Sequence, residues 1–169
     1  KVILLADAST LDSTGLKTTG ATSYNILNKS TNTANPNVEG TGISIISSGT
    51  IGETSKALTF RQNNGDFGSV DDSTLNHTAG NGYGVDMLAK GNINVLGKDG
   101  TSGQKLDTNV CALISREGDI KAEFSGDTYI RETTAQGNID ITTRGKEMYI
   151  ENLGDAPNTY LASNGAVDY

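Results

Sequence analysis

The sequence predicts an all-β chain coiled as a parallel β-solenoid, and three observations carry that prediction. Short apolar–polar alternations recur along the chain, a unit of about 20 residues repeats, and small polar residues dominate the composition. Gly, Thr, Asn and Ser number 21, 21, 16 and 14, so 72 of 169 positions are small or turn-prone, too many for a helical bundle. Only 34% of the chain is hydrophobic and 5% aromatic, which is low for one thick globular core. Two prolines, Pro36 and Pro157, are too few for a proline-rich linker or collagen.

The repeat is legible in three copies. Gly91-Asn92-Ile93-Asn94-Val95, Gly118-Asp119-Ile120-Lys121-Ala122 and Gly137-Asn138-Ile139-Asp140-Ile141 share the pattern Gly, Asn or Asp, Ile, polar, small or aliphatic. The last two begin 19 residues apart, as do the elements Gly126-Asp127-Thr128-Tyr129-Ile130-Arg131-Glu132 and Gly145-Lys146-Glu147-Met148-Tyr149-Ile150-Glu151 that follow them. The unit therefore holds two short strands, each opened by glycine. Ile120, Ala122 and Phe124 alternate with Lys121 and Glu123, and a period of two means strand. Such short strands cannot bury their apolar face alone and must stack on neighbouring units. Stacking in register places Ile120 over Ile139 and Ile130 over Ile150, in about 6–8 rungs if each consumes about 20–27 residues.

The first half reads in the same terms with wider spacing. Strands are predicted at Val2 to Ala6, Ile43 to Ile46, Ala57 to Phe60 and Val85 to Leu88. Residues 10–38, in which Tyr24, Ile26 and Leu27 are the only sizeable apolar cluster, are expected to form a loop excursion. A smaller excursion at 97–103 explains why the first two repeat copies lie 27 residues apart. The expected organisation is one solenoid segment over 1–169, with regular repeats at 40–155, an end segment at 156–169 and almost no helix. A chain that opens on Lys1 without Met is expected to be a piece of a longer one.

Two stretches carry a resemblance to a known family: Gly49-Thr50-Ile51-Gly52-Glu53-Thr54-Ser55-Lys56-Ala57-Leu58-Thr59-Phe60, and Gly126-Asp127-Thr128-Tyr129-Ile130-Arg131-Glu132 followed by Gly137-Asn138-Ile139. In content and order they resemble the repeats of haemagglutinin-type exoproteins and of large filamentous adhesins of the leukotoxin type, except that Glu53 stands where Thr is usual. The resemblance covers roughly residues 40–155. It implies a right-handed parallel β-helix, export through an outer-membrane secretion partner, and a place on the bacterial cell surface or in the extracellular medium as part of an extended fibre. Neighbouring solenoid repeats, a host-surface receptor or a glycan are the expected partners, together with end-to-end self-association.

Charge and motifs bound the chemistry. With 20 acidic against 13 basic residues the net charge is -7, so no nucleic-acid partner is expected. The longest apolar run, Val2 to Ala6, is far short of a membrane span. One cysteine, Cys111, excludes an internal disulfide and a cysteine-built zinc site; alternation puts it with Leu113, opposite Val110, Ala112 and Ile114. The only histidine, His77, lies in a polar stretch without the partners of a hydrolase triad. The glycines at 80–84 and 97–105 match neither a dinucleotide nor a P-loop pattern.

Asp71, Asp72, Asp119, Asp127, Asp140 and Glu147 are the carboxylates that a β-helix lyase, glycosidase or depolymerase would need to bring together. Asp119 opens a strand, where Asp and Asn usually bond nearby backbone amides, so a turn role is expected for it. No catalytic residue, cofactor or metal ligand is therefore assigned, and no enzymatic activity is expected. Tyr129 and Tyr149 should point outward one above the other, and with Tyr24 they are the residues expected to contact a glycan or partner.

Overall fold

The computed structural model describes residues 2–6, 23–62, 84–98 and 108–169, with the side chains of Thr108, Asn109 and Cys111 outside that description. In chain order the first strands are β1 (Val2–Ala6), β2 (Val38–Gly40), β3 (Gly42–Ser47), β4 (Leu58–Gln62), β5 (Gly84–Ala89) and β6 (Ile93–Gly97). They continue as β7 (Thr108–Ser115), β8 (Ile120–Phe124), β9 (Thr128–Ala135), β10 (Ile139–Thr143), β11 (Glu147–Leu153), β12 (Thr159–Ala162) and β13 (Ala166–Asp168). There is no helix among the described residues.

The odd-numbered strands form one seven-stranded sheet and the even-numbered strands a six-stranded one, both in chain order. Neighbouring strands within each sheet are parallel. Consecutive strands thus alternate between sheets, and each lies beside the strand two before it. The 19-residue sequence period is one such circuit: Ile139 pairs with Ile120, and Ile150 with Ile130.

In-register pairing turns alternation into columns. Val2, Ile43, Val85, Val110, Ile130 and Ile150 stack along the inner face of the odd sheet. Facing them, Ile26, Ile51, Ile93, Ile120 and Ile139 form a ladder that ends at Thr159. Ile51, Ile93, Ile120 and Ile139 are all at most 1% exposed, and burying each such side chain is worth about 2 kcal/mol. In a third column Gly97 separates Phe60 from Phe124. A β-carbon there would sit 2.7 Å from Phe124 Cδ1, and its absence lets the two rings meet edge to face with centroids 6.1 Å apart.

Strict alternation fails at one place. β7 pairs Val85 with Val110 but Asp86 with Ala112, so Cys111 is an extra residue in a β-bulge. Val110 and Leu113 consequently both face the core, each 0% exposed, and the expectation that Leu113 lies opposite Val110 is corrected. β9 and β11 repeat the spacing, with Ile130 and Thr133 inward in the one and Ile150 and Leu153 aligned to them in the other.

Residues 10–22 of the expected excursion lie outside the described residues. From 23 onward the chain lies against the stack: Ile26 bridges Ile51, its N–H bonding Thr50 O at 2.9 Å, while Gly52 N–H bonds Ile26 O at 2.8 Å. Residues 28–37 attach through polar groups, Asn28 Nδ2 donating to Ala57 O and Asn37 Oδ1 accepting from Thr59 N–H, at 2.9 and 2.8 Å. The segment 156–169 adds β12 to β10 and β13 to β11.

Candidate functional site

Several of the Asp and Asn side chains that could have done chemistry are used in stacking. Immediately before the isoleucine ladder runs a polar one, Asn25, Thr50, Asn92, Asp119, Asn138 and Asn158. Asn25 Oδ1 accepts Thr50 N–H at 2.8 Å, Asn92 Oδ1 accepts Asp119 N–H at 2.9 Å, and Asp119 Oδ1 accepts Asn138 N–H at 2.6 Å. Asn158 Nδ2 then donates to Asn138 Oδ1 at 2.8 Å. Local turn bonding was expected for Asp119; its acceptor instead serves the next rung, 19 residues on. At the other corner Asp127, 5% exposed, accepts Lys146 N–H at 2.6 Å. Glu147 is exposed at the start of β11. Asp71, Asp72 and His77 lie outside the described residues. Among the described residues no three His, Cys, Asp or Glu side chains are grouped to hold a metal ion.

Tyr129 and Tyr149 occupy paired positions on β9 and β11 with ring centroids 6.5 Å apart at 45°, and Tyr149 is 46% exposed. On the same strands Arg131 Nε lies 3.6 Å from Glu151 Oε2. Tyr24 is not part of this surface: its backbone carbonyl accepts from Gly49 N–H and Ser47 Oγ, placing it beside β3, three strands along the odd sheet from β9.

The outer face of the even sheet carries a second feature, a groove of about 550 Å³. Its floor is the outward column Asn94, Lys121, Asp140 and Tyr160, contributed in register by β6, β8, β10 and β12. One side is closed by Glu123 on β8 and Arg144 just after β10, whose Nε donates to Glu123 Oε1 at 2.6 Å. The other side is a short hairpin. Between Ile51 and Leu58 the chain inserts six residues where β6 has only Asn94 between the partners Ile93 and Val95. Glu53 and Lys56 pair across it, bonding N–H to O at 3.1 and 2.9 Å. Gly52 launches the turn with φ at 70°, and a β-carbon on it would fall 2.0 Å from Asn94 O.

No protein family, curated protein or solved structure matches this chain.

Asn94 lies next to this hairpin and is 7% exposed, and its side-chain amide makes no hydrogen bond to a described residue. Lys121 and Asp140, one rung apart, likewise form no ion pair with a described residue. Tyr160 is 62% exposed. Sequence reading settled on the tyrosine pair of the other sheet and missed Tyr160. The one available signal was that Asp140 and Tyr160 are 20 residues apart, close to the repeat period.

Proposed function

We propose that this chain is a segment of a right-handed parallel β-helix serving as a structural, non-enzymatic part of an extended fibre, on or released from a bacterial surface as in filamentous adhesins. The observation that carries this reading is the polar ladder from Asn25 to Asn158, in which an Asn or Asp side chain bonds the next rung at four of its five steps, three of them by accepting a backbone N–H. A scaffold of that kind extends by adding rungs and spends its Asp and Asn side chains on backbone amides. The right hand is the one that parallel β-crossover-β connections almost always take. The motifs at 49–60 and 126–132 support the family, and with it export through an outer-membrane partner.

The direct test is immunogold electron microscopy with antibodies raised to the 169-residue chain, on intact cells expressing the parent gene. Labelled filaments outside the outer membrane are expected. Label confined to the cytoplasm of sectioned cells would overturn the reading.

A further inference from the structure

The groove on the outer face of the even sheet has no role in stacking, and its chemistry is specific enough to name a ligand class. We propose that it binds an uncharged oligosaccharide lying along the stack axis, with Asn94, Lys121 and Asp140 bonding hydroxyls on successive sugars and Tyr160 stacking on a ring face.

Four observations converge on this. The floor offers donors and acceptors in one straight column, Asn94, Lys121 and Asp140, spaced by the strand separation of about 4.8 Å. That spacing is close to the length of a pyranose unit, and hydroxyls both donate and accept. Asn94 lines the groove with a side-chain amide that makes no hydrogen bond to a described residue and is not sealed from solvent, so it is open to a ligand. A sugar hydroxyl in the groove can both donate to and accept from it. Tyr160 ends the same column and is 62% exposed, an amphipathic platform suited to the apolar face of a sugar. Finally, Glu53, Glu123 and Asp140 outnumber Lys121 and Arg144 in the lining of a chain of net charge -7, which opposes a sulfated glycan or other polyanion.

A peptide fits less well. β6, β8 and β10 are interior strands, already paired on both sides, so the floor has no open edge for an added strand. The proposal stands apart from the fibre reading, since its failure would remove a ligand and leave the stack intact.

The test is titration of the ¹⁵N-labelled 169-residue chain with cellohexaose, maltohexaose, chitohexaose and a heparin hexasaccharide, followed by amide shifts. At least one uncharged hexasaccharide is expected to give saturable shifts in β6, β8, β10 and β12, and heparin none there. Tyr160→Ala should weaken that binding about tenfold while leaving the dispersion of the spectrum unchanged, and Tyr149→Ala should have no effect. The proposal is overturned if no uncharged sugar gives saturable shifts, if heparin binds the groove more tightly, if the shifts map to Tyr129 and Tyr149, or if Tyr160→Ala binds as the parent does.

Discussion

Asp119 and Gly137 share one small volume. A β-carbon on Gly137 would stand 2.1 Å from Asp119 Oδ1, the oxygen that accepts Asn138 N–H at 2.6 Å. The same arrangement joins Asn92 to Gly118 at 2.2 Å, Asn25 to Gly49 at 2.0 Å and Asp127 to Gly145 at 2.4 Å. In each of these four pairs the glycine makes room for the Asn or Asp side chain of the rung before.

Gly137→Ala should accordingly cost about 3 kcal/mol, because Asp119 Oδ1 and the Gly118 backbone, 2.9 Å from the new carbon, both stand in its way. Asp119→Ala should cost only about 1 kcal/mol, the loss of one hydrogen bond at an exposed corner. Urea unfolding of both variants checks the ranking, and equal losses would contradict it.

Ile139→Asp places a charge between Ile120 and Thr159 at a position 1% exposed and should destabilise by more than about 4 kcal/mol. Asp140→Ala, on the outer face of the same strand, should fall within about 0.5 kcal/mol of the parent. Thermal melts of the pair read the alternation directly, and similar losses would invert it.

Thr133 is 0% exposed in a column between Leu113 and Leu153, and its hydroxyl oxygen has no hydrogen-bond partner among the described residues. Thr133→Val keeps the shape and removes the unmet polar group. It should raise stability by about 1 kcal/mol, or Tm by about 2–4 °C. A lower Tm would show that the hydroxyl is satisfied.

β1 and β13 in the odd sheet, and β2 and β12 in the even one, each pair on one side only among the described residues. Unpaired strand edges favour association. Sedimentation velocity should show end-to-end oligomers growing with concentration, and a strict monomer at the highest concentration reached would contradict this.

How much of this was legible follows from what each feature depends on. Ile120 over Ile139, Ile130 over Ile150 and Tyr129 beside Tyr149 were readable because period and alternation are properties of the chain alone. The bulge at Cys111 was not, since an extra residue exists only relative to β5, and alternation within β7 alone assigns Cys111 and Leu113 to one face. Ile26 sat in a Thr-, Ser- and Asn-rich stretch that looked like a loop because its polar residues bond across rungs, as Asn28 and Asn37 do. The groove stayed hidden for a similar reason. Asn94, Lys121, Asp140 and Tyr160 form a column only once the registers are known, and the hairpin beside it depends on where Ile51 and Leu58 pair.

The in-register parallel stack is tested most directly by a disulfide between rungs. In a Cys111→Ser background, Lys121→Cys with Asp140→Cys places two thiols on directly paired residues of β8 and β10, with Cα atoms about 4.8 Å apart and within disulfide range. Mild oxidation of the folded chain should close this bond rapidly within one molecule and fail to do so in urea. The pair Lys121→Cys with Thr142→Cys, one outward position out of register, should remain reduced. Equal crosslinking of both pairs, or of neither, would contradict the stack.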